Sequence, residues 1–117
     1  LWRYTDIERS LSTVAVADGL VYAADLSGKL HCVDAENGKV YWVHDTKQDV
    51  WSSPFVADGK VFLGTRKSLH VLAAEKQKRL LAEIRLGSPV WSVPAAANGV
   101  LYVASQRYLW AVEEKDR

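Results

Sequence analysis

The sequence has little of what several common kinds of site require. Its 117 residues include no methionine, three prolines and one cysteine. That cysteine, Cys32, cannot form an internal disulfide and cannot by itself make a zinc site. The 15 basic and 14 acidic residues leave a net charge of +1, which gives neither a basic footprint for nucleic acid nor a polybasic membrane patch. Apolar runs fall far short of the ~20 residues of a membrane-spanning helix. We therefore expect no nucleic-acid partner and no membrane-spanning segment.

The lack of methionine also bears on how the sequence arose. The chain opens on Leu1 without a charged-then-apolar leader, so we expect a fragment or a processed product whose targeting signal, if any, lies upstream. Its length allows one domain at most. With 49% apolar and 25% charged residues, the composition is that of a globular protein and not of a disordered chain.

An internal repeat of 40 residues organises the chain. Two dipeptide series keep this spacing: Asp18-Gly19, Asp58-Gly59 and Asn98-Gly99, and Leu11-Ser12, Trp51-Ser52 and Trp91-Ser92. Asp-Gly or Asn-Gly between apolar runs is the strongest short hairpin signal, because a type I′ turn needs positive φ at both central residues. The repeat therefore indicates hairpins at equivalent places in successive units.

Each unit reads as four short strands, which is typical of a β-propeller blade. The predicted strands are 13–17, 20–24, 30–34 and 40–44, then 54–57, 60–65, 69–74 and 79–84, with 109–112 in the third unit. These runs are almost continuously apolar, as expected of sheets covered on both faces by neighbouring blades. Residues 72–86 have a high helix propensity, but the repeat places a strand, a turn and a strand there, so we predict no helix.

The phase of the repeat predicts the organisation of the whole chain. Because Trp2 lies 40 residues before Trp42, residues 1–4 correspond to a fourth, outermost strand. Residues 1–10 are thus predicted to contain the outer strand of a preceding blade, followed by a linker. Residues 11–46 and 47–86 form two blades, and 87–117 supply three strands of a last blade. The fold class is all-β, a partial propeller of four-stranded antiparallel blades over 1–117.

Segment 32–42 resembles the tryptophan-docking motif of quinoprotein-type propellers, the PQQ-like (pyrroloquinoline-quinone-like) repeat family. The family pattern is small-x-Asp-x-x-x-Gly-Lys-x-x-Trp, and it is matched by Asp34, Gly38, Lys39 and Trp42. The resemblance implies that Trp42 packs flat over a neighbouring blade near the Gly38 backbone, with Asp34 and Lys39 framing the turn.

The second unit departs from this pattern. It offers Ala73, Gln77 or Lys78, and Leu81 in place of the motif residues, so we expect its blade to persist without the docking contact. By the resemblance, the chain is the C-terminal part of a ring of about eight blades.

The resemblance also implies a function. The repeat is similar to that of the propeller lipoproteins of outer-membrane barrel assembly. The resemblance therefore implies a non-catalytic scaffold or protein-interaction module. It also implies a periplasmic or exported location and no cofactor. Loops 46–49 and 66–68 would contact a protein partner on one rim. The alternative is a fragment of a quinoprotein dehydrogenase with PQQ and calcium, which would need adjacent cysteines, a calcium held by Glu, Asn and Asp, and a catalytic Asp. A third possibility is self-assembly into a closed ring, in which the Trp2 strand of one copy completes the last blade of a neighbouring copy. The partners are then other copies of the chain, and not the remaining blades of a parent propeller.

Several residues could carry chemistry, but none is predicted to be catalytic, metal-binding or cofactor-binding. His31 and His70 occupy equivalent third-strand places, and we expect them to be structural because further ligands are missing. His44 and Asp45 are adjacent on a strand and so point to opposite faces; we interpret them, with Asp49, as a strand end and solvated loop.

The tryptophans of the first strands are the remaining candidates. We expect Trp51 and Trp91 to lie on the first strands, which are innermost in a propeller, where they could line the central channel or its mouth and stack on a ligand. The alternative is that they fill the space between blades.

Overall fold

All regular structure in the described chain is β-strand, arranged as three antiparallel sheets. A computed structural model describes residues 1–10, 13–87, 89–90, 95–97, 100–105 and 108–113. The first sheet contains β1 (Ala15–Ala17), β2 (Leu20–Ala24), β3 (Lys29–Asp34) and β4 (Val40–Asp45). The second contains β5 (Phe55–Ala57), β6 (Lys60–Gly64), β7 (Ser68–Ala73) and β8 (Leu80–Arg85). The third contains β9 (Ala95–Ala97), β10 (Val100–Ala104) and β11 (Leu109–Glu113).

The hairpins form where the Asp-Gly pairs predicted them. Asp18 and Gly19 have φ of 51° and 77°, and Asp58 and Gly59 have φ of 55° and 71°, as a type I′ turn requires. Each pair joins the first two strands of its sheet. The third pair, Asn98-Gly99, lies outside the described residues. Strands β7 and β8 occupy the segment of high helix propensity, which confirms the strand prediction there.

The hydrophobic core lies between the sheets. One face of the first sheet packs on the second through two groups of fully buried or nearly buried side chains: Leu20, Tyr22, Leu30, Cys32 and Trp42 on the first, and Val61, Leu63 and Leu72 on the second. Leu69 and Val71, on the opposite face of the second sheet, pack against Leu101 and Val103 of the third. The second sheet is thus covered on both faces, which explains its continuous apolar strands.

The first two sheets converge at their first strands. The backbone N–H and hydroxyl of Thr13, just before β1, both donate to Ser53 Oγ, just before β5, over 2.9 and 3.0 Å. Since each later strand lies further out in the order of its sheet, the sheets stack as blades around an inner edge. The prediction of an all-β partial propeller is confirmed.

The repeat extends to irregularities of the sheets. A bulge interrupts the β3–β4 ladder between Cys32 and Val33, and another interrupts the β7–β8 ladder between Val71 and Leu72. The turn after β7 is one residue longer than the turn after β3. As a result Cys32 lies opposite Trp42, and its counterpart Val71 lies opposite Ala82. The prediction that Leu81 stands in the place of Trp42 is wrong.

Residues 1–10 form no strand in the structure. A strand needs a ladder partner, and none of the described strands pairs with this segment. The segment instead packs on the first sheet, where Leu26 N donates to Arg9 O over 2.8 Å. Its assignment to a preceding blade stays a prediction. The part of the chain that is described contains no helix capable of spanning a membrane.

Candidate functional site

Two tryptophans dock on the blade that follows them in the chain. Trp42 Nε1 donates to Glu75 O over 2.8 Å, and Trp2 Nε1 donates to Ala35 O over 3.0 Å. Both acceptors lie in the turn between the third and fourth strands of the next sheet. Since each indole N–H is satisfied by a main-chain carbonyl, the rings can be buried without an unpaired donor.

The ring over Gly38 belongs to Trp2. Gly38 has φ of 76°, and a Cβ added there would overlap the Trp2 indole. The detail that Trp42 lies near Gly38 is therefore wrong: the glycine receives the tryptophan of the preceding repeat. Glycine, which has no Cβ, is required at this position both by the positive φ and by the close approach of the Trp2 ring.

Asp34 and Lys39 lie at the two ends of the same turn. Asp34 Oδ1 accepts from Glu36 N over 2.7 Å, and its Oδ2 accepts from Tyr41 Oη over 2.6 Å. The hydrogen bond from Tyr41 is the main reason that the Asp34 pKa is lowered. Lys39 N donates to Asn37 Oδ1 over 2.8 Å. These contacts fix the turn on which Trp2 docks.

The second unit still receives a docked tryptophan. Trp42 binds Glu75 O although the turn after β7 has no glycine. The second unit has no tryptophan of its own to dock on the third, because Ala82 stands opposite Val71 where the first unit has Trp42 opposite Cys32.

A second repeated contact joins neighbouring units through a third-strand side chain. Tyr4 Oη lies 2.9 Å from His31 Nδ1, and His44 Nε2 lies 3.1 Å from His70 Nδ1. In the next interface Ile84 and Trp110 pack in the same hydrophobic cluster. The two equivalent histidines thus face different partners in different interfaces, and among the described residues no group of three or more potential ligands could hold a metal ion.

Sequence reasoning missed Asp25, which is buried and anchors residues 1–10. Its carboxylate accepts from Ser27 Oγ over 2.6 Å and lies 2.9 Å from His31 Nε2. It also accepts from the backbone N–H groups of Lys29 and Glu8. Burial alone would raise the Asp25 pKa, but these hydrogen bonds outweigh it and hold the pKa at about 2. The Asp-x-Ser-Gly sequence is a turn signal that carries no information about the long-range partners.

No carboxylate is hydrogen-bonded to His44 or His70, although Glu83 stands opposite His70 in the β7–β8 ladder. Thr65 occupies the place that Asp25 has in the first sheet, and its hydroxyl bonds to Gln48 Oε1 and Ser68 O. His70 Nε2, the counterpart of the His31 atom that faces Asp25, is buried without a hydrogen-bond partner, and so is His44 Nδ1. Burial lowers the pKa of both rings, that of His44 to about 4, so both are neutral near pH 7. Asp45 is exposed and accepts from Lys47 N, on the opposite side of β4 from the buried His44, which agrees with a strand end that leads into a solvated loop.

Loops 46–49 and 66–68 meet on one rim. Gln48 Oε1 accepts from the Thr65 hydroxyl and from Lys67 N, and Arg66 N donates to Asp49 O over 3.1 Å. The exposed side chains of these loops and of Trp51 define what we call the rim surface: Lys47, Asp49, Trp51, Arg66 and Lys67. The two loops that the sequence treats as separate are one hydrogen-bonded unit.

Trp51 projects from this rim. Its side chain is 53% exposed, whereas the adjacent Val50 and Ser52 are buried. Ser52 Oγ donates to Gly64 O over 2.7 Å, which ties this segment to the end of β6. Trp51 is thus held on a fixed backbone and does not fill the space between blades. Trp91 lies outside the described residues.

Cys32 and the described carboxylates do not supply a quinone site. Cys32 is the only cysteine in the sequence, so the adjacent pair that a quinoprotein site calls for is absent from this chain. Its side chain is buried, and burial raises the thiol pKa to about 11. A buried neutral thiol is neither a nucleophile nor a metal ligand. The residues present therefore do not fit PQQ with calcium.

Comparison with known proteins points in the same direction as the repeat. A family sequence profile described as outer membrane protein assembly factor BamB matches residues 1–81. The chain is 36% identical over 58 residues to "Outer membrane protein assembly factor BamB" of Legionella pneumophila, covering 50% of this chain and 15% of that protein. It is 30% identical over 86 residues to the protein of that name in Nitrosomonas eutropha, covering 74% of this chain and 21% of that protein. The chain thus spans about a fifth or less of the length of these relatives.

Solved structures share the fold. BamB from Moraxella catarrhalis superimposes with a TM-score of 0.78 at 21% identity, over 89% of this chain and 33% of that one. The computationally designed Ika8 protein superimposes with a TM-score of 0.66 at 14% identity, over 90% of this chain and 34% of that one. With two docked tryptophans, stacked four-stranded sheets and a profile match over 1–81, the chain belongs to the PQQ-like repeat family described as outer membrane protein assembly factor BamB.

Proposed function

We propose that this chain is part of a non-catalytic propeller scaffold that holds a protein partner during outer-membrane protein assembly. The names of the two curated relatives supply the process. We propose further that the protein is exported to the periplasm. This chain would then form part of a parent ring of about eight blades. The scaffold needs no cofactor, because its part is to present a surface and not to carry out a reaction.

The observation that carries the proposal is the fixed, exposed Trp51. Tryptophan and arginine dominate protein-interface hot spots when they stand on ordered backbone, because little conformational entropy is lost on binding. Trp51 stands between buried neighbours, and Arg66 is joined to the same rim through Asp49 O. The rim surface carries three basic side chains and the one carboxylate of Asp49, and this excess of positive charge favours a partner with acidic side chains.

The test measures binding of the chain to a purified outer-membrane assembly complex that lacks its own BamB, taken from an organism with one of the named relatives. Trp51→Ala should weaken binding by about 30-fold, the loss typical of a hot-spot residue. Arg66→Glu should weaken it further and make it less dependent on salt, since it removes a favourable charge.

Leu81→Ala is the matched control, because Leu81 is exposed on β8 and away from the rim. Equal affinities for the wild type, Trp51→Ala and Leu81→Ala would count against this surface. A spectral change on adding PQQ with calcium would instead contradict the non-catalytic, cofactor-free scaffold.

A further inference from the structure

Both asparagines of the chain stand directly before a glycine, at Asn37-Gly38 and Asn98-Gly99. Asparagine is a thermolabile residue, and it loses its side-chain amide most easily before glycine, which has no Cβ to hinder attack by its backbone nitrogen. In that reaction the glycine nitrogen bonds to Cγ of the asparagine and ammonia leaves, which gives a cyclic succinimide. Asn98-Gly99 lies outside the described residues, so the argument concerns Asn37.

The turn after β3 holds both reacting groups of this pair in hydrogen bonds. Asn37 is exposed, so water reaches its side chain. Gly38 N, the atom that must attack, donates to Asp34 O over 2.8 Å. Asn37 Oδ1, on the carbon that is attacked, accepts from Lys39 N over 2.8 Å. Ring closure therefore requires both hydrogen bonds to break and the peptide group between Asn37 and Gly38 to rotate.

The docked Trp2 ring opposes this rotation. Gly38 has φ of 76°, and a Cβ added there would overlap the Trp2 indole. Trp2 Nε1 also donates to Ala35 O over 3.0 Å, which fixes the first half of the same turn. The ring thus covers one side of the segment that must move, and the reactive geometry is accessible only when Trp2 leaves the turn.

We propose that Asn37 is a site of spontaneous deamidation that is controlled by the docking of Trp2. When Trp2 leaves, Gly38 N loses its proton and bonds to Asn37 Cγ, and the side-chain nitrogen departs as ammonia. Water then opens the succinimide. Breaking the bond from nitrogen to Cγ gives aspartate, and breaking the bond from nitrogen to the backbone carbonyl carbon gives isoaspartate. The net reaction consumes one water and releases one ammonia.

The isoaspartyl product does not accept Trp2 again. Isoaspartate adds a methylene group to the main chain just before Gly38, which moves Gly38 N away from Asp34 O and the glycine away from the ring. Either product also adds a negative charge to a turn that already contains Asp34 and Glu36. Reaction at Asn37 therefore makes the release of residues 1–4 from the first sheet permanent.

The other docked turn does not carry this site. Trp42 docks on Glu75 O, in a turn over 74–79 whose sequence contains neither asparagine nor glycine. Its amide residue is Gln77, which must close a larger ring and so reacts far more slowly. Deamidation is thus directed to the contact made by Trp2 and spares the contact made by Trp42.

The test follows the chain in mildly alkaline buffer by peptide mapping, with Asn98→Gln as the common background. Asn37 should react about 10-fold more slowly in the folded chain than in an isolated peptide of sequence 33–41, and Trp2→Ala should remove about 10-fold of protection, because local opening sets the rate. Trp2→Phe keeps a ring but loses the bond to Ala35 O, so its rate should be intermediate. Arg3→Ala, an exposed neighbour, is the matched control and should keep the wild-type rate.

Three results would overturn the proposal. One is an equal rate at Asn37 in the wild type and Trp2→Ala, and another is a wild-type rate equal to that of the peptide. The third is an acceleration in Trp2→Ala no larger than that of amide exchange in β2, since the whole sheet would then be opening.

A second measurement concerns the product. Asn37→Asp has the charge of the deamidated chain and a normal main chain, so its Trp2 should remain docked. The isoaspartyl chain, purified by chromatography after ageing, should exchange the Trp2 Nε1–H faster than Asn37→Asp does. Equal exchange in the two would contradict permanent release of Trp2.

Discussion

At the scale of single residues, the interface between the first two sheets contains a polar pair that is not fully satisfied. His44 and His70 are buried and bond to each other, but each keeps one ring nitrogen without a partner. The charged groups that act on the pair are Glu83, Lys78 and Asp45, none of which is hydrogen-bonded to it. Protonation of either ring would place a cation in this interface without a hydrogen-bonded anion, since Glu83, opposite His70 on β8, acts on the pair only through its charge.

Stability should therefore fall as the pH falls from about 6.5, the usual histidine value, towards the His44 pKa of about 4. The folded state has the lower pKa, so the unfolded state binds the protons first and is favoured through this window. The loss should be on the order of 1–3 kcal/mol in the free energy of urea unfolding. The double variant His44→Ile with His70→Leu should flatten the profile in this window.

Asp25 supplies a control in a different window. Its pKa of about 2 lies below the ordinary value of 3.8, so its contribution is complete above pH 3.8 and is lost as the pH falls towards 2. Asp25→Asn should change the profile only in that lower window. Equal pH profiles of the wild type and the double histidine variant between pH 6.5 and 4 would show that the pair is not responsible.

At the scale of elements, the turns between strands set both local conformation and docking. Gly19, Gly38 and Gly59 all have positive φ, but only Gly38 meets another group, the Trp2 indole, where a Cβ would be. A substitution at Gly38 should therefore combine a backbone cost with displacement of the Trp2 ring, whereas Gly19 and Gly59 carry the backbone cost alone.

Gly38→Ala should destabilise the chain more than Gly59→Ala does. Both variants place alanine in the left-handed region at about 1–2 kcal/mol, but Gly38→Ala must also displace the Trp2 ring. We expect an additional loss of about 1–3 kcal/mol in urea unfolding. The Trp2 Nε1–H should also exchange faster in Gly38→Ala only. If both alanine variants cost the same, Trp2 does not contribute its docking energy through this glycine.

The sequence allowed the strands to be predicted because turn chemistry and repeat spacing agree locally. Asp18-Gly19 and Asp58-Gly59 determine the hairpins, and the repeat overrode the helix propensity of 72–86. Ala82 was missed as the counterpart of Trp42. The turn between β7 and β8 is one residue longer than the turn between β3 and β4, and a bulge also shifts the β7–β8 ladder. The direction of docking was also missed, since spacing does not say whether a tryptophan packs on its own turn or on the next.

The candidate site was less predictable than the fold. Loops 46–49 and 66–68 were expected on one rim, but their union through Gln48 depends on a side-chain contact across 17 or more residues. Asp25 contacts residues before and after it in the chain. Contacts of this kind arise from the packing of blades, which the sequence pattern of one blade does not contain.

At the scale of the whole molecule, the hydrophobic clusters of the described residues join each sheet to its neighbours in the chain, as in other repeat proteins. The interface between the first two sheets has the Trp42 docking contact and the histidine pair. The interface between the second and third has Ala82 opposite Val71 in the corresponding place. Stability should therefore vary along the chain, with the third sheet the first to open.

Two matched leucine substitutions test this gradient. Leu101, on β10, packs between the second and third sheets, and Leu63, on β6, packs between the first and second. Each Leu→Ala change removes the same buried atoms and should cost about 2–5 kcal/mol within its interface. Leu101→Ala should accelerate amide exchange at 100–104 and 109–113 while β2 and β3 keep their protection, because the first two sheets retain their own interface. Leu63→Ala should accelerate exchange in both of those sheets. Measured where the chain is monomeric, equal acceleration in all three sheets by either variant would mean that the molecule opens as one cooperative unit and that its blades are not energetically separable.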